Sequence, residues 1–165
     1  MKKFITTVLC LVLIAVSSFA QKPALQKGSN VIDAGIGFSS GISNISIPPI
    51  AVSYEHIFVT FGGNDQWGVG AGAFGGVLSQ KSFGSNYFGG GISAQGNMHF
   101  SPVANLDIYA GLNTGYVKVI TDGISVGSTS VGEQIGVRYF FKDGLGAFLQ
   151  VGGFGTINLG ISFKF

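Results

Sequence analysis

The chain is poor in charge, in cysteine and in long apolar runs. Charged residues make up 10% of its 165 residues, and Cys10 is its one cysteine. A single cysteine cannot form an intramolecular disulfide or supply a cysteine-based metal site. Beyond the first twenty residues no apolar run reaches the eighteen or so residues that a transmembrane helix needs. The mean hydropathy is nevertheless +0.48, so the apolar residues must be exposed to lipid through strands rather than helices.

The first twenty residues have the pattern of a secretory signal peptide. Two lysines precede an apolar stretch from Phe4 to Val16, and Ser18 and Ala20 place small residues at the −3 and −1 positions. We therefore predict a signal peptide over 1–20, cleaved after Ala20, followed by a short periplasmic segment over 21–29. A retained membrane anchor is the alternative, but the apolar stretch is short for a span.

The chain that follows the predicted leader is formally neutral. Nine lysine and arginine residues, less the two in the leader, leave seven against seven acidic residues. Nucleic-acid binding requires a clustered basic surface, which this balance does not offer. We expect no nucleic-acid partner.

Eight segments alternate between apolar and small or polar residues, which is the period of a strand with two different faces. Each is about as long as a tilted strand that crosses a bilayer. The sequence therefore predicts an all-β fold, an eight-stranded antiparallel up-and-down transmembrane β-barrel over 30–165. The alternation breaks near Ile57, which predicts a bulge or an early exit from the membrane there. The segments are about 30–39, 50–61, 67–77, 87–100, 106–118, 129–141, 145–153 and 157–165.

The connections divide into two sets. Asp143-Gly144 is a tight hairpin signal, and 62–66 and 101–105 are compact and turn-rich. The other set is longer, and barrels of the bacterial outer membrane carry their longer loops outside the cell and both termini in the periplasm. We therefore predict external loops at Ser40–Pro49, Leu78–Asn86 and Ile120–Ser128, with a very short connection near Gly155-Thr156.

The last strand presents one apolar face up to the final residue. Ile157, Leu159, Ile161, Phe163 and Phe165 alternate with polar or small residues. A soluble protein would leave such an end to fray, whereas a barrel uses it to close the cylinder against lipid. Aromatic residues also fall at both ends of the predicted strands, as a membrane interface selects. The alternative is a soluble sandwich, whose solvent face would need more charge.

These features together resemble those of a known family. The ending from Leu159 to Phe165, the eight strands and the glycine-rich neutral barrel resemble the small outer-membrane β-barrels of the OmpA/OmpX-like superfamily. The stretch Pro48–Glu55 and Gln21 after Ala20 are similar to the versions in Bacteroidetes-type bacteria. The resemblance implies a location in the bacterial outer membrane and contact with its lipid. It also implies that Phe165 and Phe163 form a signal for the barrel-assembly machinery.

Charged residues on the inner faces predict a packed lumen. An eight-stranded barrel is just wide enough to be filled by side chains, and buried charges must be paired. We expect Asp107 to meet Arg138 on neighbouring strands, Lys164 to meet Asp33 across the closure, and Glu55 to complete the network with Arg138.

Motifs for chemistry are weak. Gly70–Gly75 matches a dinucleotide-binding pattern, but it lies in a strand with no helix after it. The two histidines after the leader, His56 and His99, belong to no serine–histidine or metal-ligand pattern. We predict no catalytic, cofactor or metal site. The sequence favours a structural or surface-interaction role with an unidentified external ligand, and it leaves open a narrow porin-like channel or a lipid-modifying enzyme.

Overall fold

The computed structural model describes residues 22–38, 45–82, 85–153 and 157–165. The predicted signal peptide and the predicted connection near Gly155-Thr156 lie outside these residues. Eight strands account for most of the described chain. They are β1 Asn30–Phe38, β2 Ile45–Phe61, β3 Trp67–Ser82, β4 Ser85–Val103, β5 Leu106–Thr121, β6 Ile124–Lys142, β7 Leu145–Gly152 and β8 Ile157–Lys164.

The strands form one closed antiparallel barrel in chain order, with β8 paired to β1. This confirms the predicted eight-stranded up-and-down barrel. Within the described residues, no helix has the length and apolarity to cross a membrane. We call the end of the barrel that carries Asn30 and Phe165 the lower end, and the opposite end the upper end.

The strand register fixes the width and tilt of the barrel. A walk across paired residues that starts at Trp67 on β3 returns to β3 at Val77, ten residues further on (77 less 67). Eight strands with this stagger are steeply tilted and enclose a lumen that side chains can fill. The walk stays on the outer face and meets apolar or aromatic side chains throughout, at Trp67, Phe100, Ile108, Val137, Leu149, Leu159, Ile36, Ile50 and Val77.

The barrel places polar residues inside and apolar residues outside. Large apolar side chains such as Ile92, Leu112 and Ile135 are exposed on the outer face. Among the described residues, the buried positions include more polar and charged side chains than apolar ones. Such an arrangement suits a protein whose outer face contacts lipid.

Two predicted local features are confirmed. Each depends only on a few residues that are adjacent in the sequence. The register between β2 and β3 shifts between Ile57 and Val59, which is the predicted irregularity. Asp143-Gly144 connects β6 to β7, with Gly144 at a φ of 74°. Gly70–Gly75, which matches the dinucleotide pattern, lies within β3.

The predicted external loops were wrong in extent. Residues 45–49, 78–82, 85–86, 120–121 and 124–128 belong to strands, and β5 joins β6 through Asp122-Gly123 alone. The ladder continues because β-branched residues in this stretch suit a strand and because Gly123, at a φ of 83°, permits a two-residue turn. Positions 40–44, the remainder of the first predicted loop, lie outside the described residues.

The upper rim is uneven as a result. Strands β3 to β6 contain 16 to 19 residues, whereas β7, β8 and β1 contain eight or nine. The longer strands therefore project as a sheet beyond the short side of the barrel.

Candidate functional site

Arg138 lies at the centre of the lower lumen and is bound by three carboxylates. Its Nη1 donates to Asp107 Oδ2 at 3.0 Å. Its Nη2 donates to Asp33 Oδ2 at 2.8 Å and to Glu55 Oε2 at 2.9 Å, and its Nε completes a forked contact with Asp33. All four side chains are buried. The planar guanidinium suits this role, because its donors are fixed in a fork that matches carboxylate oxygens.

His99 joins two of these carboxylates. Its Nδ1 lies 3.1 Å from both oxygens of Asp107, and its Nε2 lies 3.0 Å from Glu55 Oε1. An ionised carboxylate only accepts hydrogen bonds, so both contacts are hydrogen bonds when both ring nitrogens carry a proton. In that state Arg138 and His99 together offset two of the three carboxylate charges. We call Asp33, Glu55, His99, Asp107 and Arg138 the charge layer.

Small polar side chains take the remaining lone pairs of the carboxylates. Ser162 Oγ donates to Asp33 Oδ1 at 2.5 Å, and Ser53 Oγ donates to Asp33 Oδ2 at 3.2 Å. Asn97 Nδ2 donates to Glu55 Oε1 at 2.7 Å. A buried ion pair is tolerated when such hydrogen bonds compensate its lost hydration.

Glycines on the inner face make room for this layer. A Cβ at Gly70 would lie 2.7 Å from Glu55 Oε1, which explains one glycine of the pattern in β3 without any nucleotide. Gly136 leaves space for the ring of Tyr109. That ring lies under the guanidinium of Arg138, with Cζ 4.1 Å from the ring centroid, which is a cation–π contact.

Lys164 lies outside the charge layer, contrary to the predicted pairing with Asp33. The register of β8 on β1 sets Lys164 opposite Val31 and sets Ser162 opposite Asp33. One alternation of the strand thus separates the two charges. Lys164 Nζ instead donates to the carbonyl oxygen of Ala24 at 2.9 Å, and it lies 4.6 Å from the ring centroid of Phe140.

The segment before β1 packs against the lower end of the barrel. Ala24 and Leu25 are almost fully buried and cluster with Val31, Ile57 and Phe140. Backbone hydrogen bonds hold the segment in place, from Gly28 N–H to the Ile57 carbonyl and from Ile57 N–H to the Ser29 carbonyl. We call Ala24, Leu25, Val31, Ile57 and Phe140 the lower seal. The sequence predicted a periplasmic segment here but did not predict that it would pack into the lower seal. Ala24 and Leu25, the two apolar residues that the segment contributes, form no periodic pattern.

Amide side chains form a second polar layer above the charges. Gln134 Nε2 donates to Asn97 Oδ1 at 2.8 Å and to Gln95 Oε1 at 3.1 Å, and Asn113 Nδ2 donates to Gln134 Oε1 at 3.3 Å. Tyr109 links the two layers, since its hydroxyl donates to Gln150 Oε1 at 2.9 Å. We call the set Gln95, Asn97, Asn113, Gln134 and Gln150 the amide layer. All five of these side chains are buried on the inner face of the barrel.

Above the amide layer the lumen is hollow. A cavity of about 750 Å³ opens at the upper end, and valine, phenylalanine, tyrosine and glycine residues form much of its wall. The sequence does not predict this cavity, because the alternation of a strand does not reveal the space that inward glycines such as Gly76 and Gly91 leave.

The described residues hold no cluster of histidine, cysteine, aspartate and glutamate with the arrangement of a metal site. The charge layer is already occupied by Arg138, whose donors take up the carboxylate oxygens. His56, the other histidine after the predicted leader, is exposed at the lower end with Nδ1 2.9 Å from Asn30 Oδ1.

No protein-family model matches the chain, and no curated protein matches it in sequence. Several solved structures are similar to it, among them three crystal structures of small outer-membrane barrels. Ail, the attachment invasion locus protein of Yersinia pestis, in complex with the heparin analogue sucrose octasulfate, has a TM-score of 0.59 at 16% identity over 85% of this chain and 100% of Ail. The N-terminal β-barrel domain of Pseudomonas aeruginosa OprF has a TM-score of 0.57 at 17% identity over 84% and 98% of the two chains.

The third structure is the outer membrane protein OprG of Pseudomonas aeruginosa. It has a TM-score of 0.54 at 11% identity over 85% of this chain and 97% of OprG. At these identities the likeness concerns the fold alone. The chain has the fold of the small outer-membrane β-barrel proteins that these structures represent, as its sequence predicted.

Proposed function

We propose that this chain is an outer-membrane barrel whose projecting sheet binds an extended polypeptide segment outside the cell, while its lumen stays plugged. The observation that carries the proposal is the unpaired upper edge of β6. The ladder between β6 and β7 begins at Gln134, opposite Gly152. Within the described residues, Ile124–Gly132 has β5 on one side and no strand on the other.

An unpaired edge of this length offers a row of backbone donors and acceptors. Proteins normally block such edges with lysine, proline or a bulge. The β6 edge has none of these from Ile124 to Gly132, and its register with β5 runs without a shift. Val131, with 78% of its surface exposed, adds an apolar side chain beside the edge. Such an edge suits strand addition, in which a peptide completes the sheet through main-chain hydrogen bonds.

The filled lumen supports a role at the surface rather than in transport. The lower seal, the charge layer and the amide layer follow one another along the axis, and their side chains are buried. We propose that these layers close the barrel, which leaves no support for the narrow-channel alternative.

Contacts of the two histidines support a non-catalytic role. Both ring nitrogens of His99 face carboxylates in the charge layer, and His56 contacts Asn30 at the lower rim. Neither histidine has a described contact with a serine, which the lipid-modifying alternative would require.

Export and assembly are part of the same proposal. Residues 1–20 direct the chain across the inner membrane and are removed after Ala20. The barrel-assembly machinery then recognises Phe163 and Phe165, which are exposed on β8 and at the chain end. In the membrane the apolar outer face contacts lipid, and the lower end faces the periplasm.

The test uses the protein in lipid nanodiscs and a biotinylated peptide of residues 112–121. In the barrel this segment is an extended strand that pairs with the opposite, occupied edge of β6, from Leu112 with Glu133 to Thr121 with Ile124, so it serves as a strand-forming probe for the unpaired edge. We expect saturable binding that falls at least about tenfold, or 1.4 kcal/mol, when Thr129 and Val131 are both changed to lysine, because lysine protects edges.

The matched control changes Ile120 and Tyr116 to lysine, two outward residues on β5, which is paired on both sides. This double variant should bind the peptide as the unaltered protein does. Equal binding by the edge variant and the unaltered protein would contradict the proposed strand addition.

A further inference from the structure

We infer that the upper cavity is a binding site for an uncharged, mostly apolar small molecule that carries a hydrogen-bond acceptor. This inference goes beyond the surface role of the β6 edge and does not depend on it. It rests on the size of the cavity, the chemistry of its wall and the amide group beneath it.

The cavity has the dimensions of a ligand pocket. Its volume of about 750 Å³ lies within the roughly 300–1,000 Å³ range of small-molecule sites. The amide layer, the charge layer and the lower seal lie below it, so it is blind at the lower end. A molecule can therefore enter from the upper end and be held, rather than pass through.

The wall selects for apolar surface. Phe74, Val117 and Val119 contribute apolar side chains, while Gly76 and Gly91 leave the space open. A lumen mouth that served only as a vestibule for water would not require this apolar wall. Hydrophobic burial is proportional to the apolar area removed from water, so the wall favours a ligand with an apolar body.

Charge at the cavity disfavours anions. Glu133 is the one charged residue among the described residues that line it, and its side chain is exposed on β6 at the rim. Acidic groups also outnumber basic ones in the charge layer below. A negatively charged ligand would therefore be repelled both on entry and in the cavity.

A buried amide beneath the wall supplies the polar contact. Gln150 is 4% exposed, its Oε1 accepts from Tyr109, and its Nε2 has no hydrogen-bond partner among the described residues. This donor lies under Gly153 of the cavity wall, since a Cβ at Gly153 would be 3.1 Å from Nε2 and 3.8 Å from Phe74 Cε1. A buried donor without an acceptor costs free energy. A ligand carbonyl could reach Gln150 Nε2 past Gly153, which has no side chain. The hydrogen bond formed there would remove the free-energy cost of the unpaired donor.

The experiment titrates prodan, a neutral naphthalene ketone whose fluorescence reports its surroundings, into nanodisc-embedded protein. Empty nanodiscs give the non-saturable lipid background. We expect a saturable component of one site per barrel. Val117→Trp, which fills the cavity, should lower the affinity of this saturable component by at least about tenfold. Gln150→Leu, which removes the donor, should lower it by about fivefold.

Val151→Trp is the matched control, because Val151 faces outward on β7 with an exposed side chain. It should leave the saturable component unchanged. A shift between boiled and unboiled samples on a gel verifies that each variant is folded, and Val119→Phe replaces Val117→Trp if the larger side chain prevents folding.

The absence of a saturable component, or its persistence in folded cavity-filling variants, would overturn the inference. An effect of Val117→Trp without one of Gln150→Leu would overturn the part that concerns the acceptor.

Discussion

At the scale of single residues, Arg138 is the lumen charge that forms ion pairs with three carboxylates. Arg138→Met leaves Asp33, Glu55 and Asp107 buried without their main partner. Breaking a buried ion pair by removing one member typically costs about 3–5 kcal/mol. We expect a loss of that size in the free energy of unfolding, measured by urea titration in phospholipid vesicles. Lys142→Met, an exposed change on the same strand, is the control, and a loss below about 1 kcal/mol for Arg138→Met would contradict the network's role.

The position of Lys164 gives a second prediction at this scale. A double-mutant cycle of Asp33→Asn with Lys164→Met should show a coupling energy near zero, because the two side chains share no contact. The same cycle with Arg138→Met should show a coupling of about 1–3 kcal/mol, since those groups form a forked ion pair. A coupling between Asp33 and Lys164 as large as the one between Asp33 and Arg138 would support the pairing predicted from the sequence.

At the scale of elements, the segment before β1 acts as part of the barrel rather than as a free tail. Leu25 is 3% exposed in the lower seal, so Leu25→Ala removes buried apolar contacts. Such truncations cost about 2–5 kcal/mol in well-packed cores. We expect a loss near the lower end of that range by urea unfolding. Lys27→Ala, exposed in the same segment, should be neutral, and equal effects of both changes would show that the segment is not packed.

The Asp122-Gly123 turn sets the length of the projecting sheet. A Cβ would meet nothing within 4 Å at either Gly123 or Gly63, but Gly123 has a φ of 83°. Gly123→Ala should therefore be strained by about 1 kcal/mol, whereas Gly63→Ala should not. Hydrogen exchange at the tip of the β5–β6 hairpin should quicken by about fivefold in Gly123→Ala alone. Unchanged exchange would indicate a different turn geometry.

At the scale of the whole molecule, the layered lumen predicts a barrel that does not conduct. The lower seal and the charge layer are two separate sets of buried side chains, and in the proposed function each of them closes the barrel. The unaltered protein in planar bilayers should show no conductance above leak. Removal of residues 22–27 should also leave it closed, because the charge layer remains. Steady conductance by the unaltered protein would favour the channel alternative instead.

The sequence determined the fold because strand periodicity is local information. Alternation along each segment, the break at Ile57 and the Asp143-Gly144 turn each act within a few residues, and the closed barrel follows from eight such strands with apolar outer faces. The sequence also predicted that Asp107 and Arg138 approach each other. The two residues are partners in the register of β5 and β6, because neighbouring strands of a hairpin share a simple register.

The tertiary structure decided what depends on closure and on length. Asp33 meets Arg138 across the lumen, and Lys164 turns away from both, because the register of β8 on β1 follows from the stagger of the whole ring. The strands also extend through the predicted loops, which creates the β6 edge and the upper cavity. Neither feature belongs to any one segment. Each arises because long and short strands are closed into one barrel. The pattern within one strand does not show whether the strands beside it will be longer or shorter.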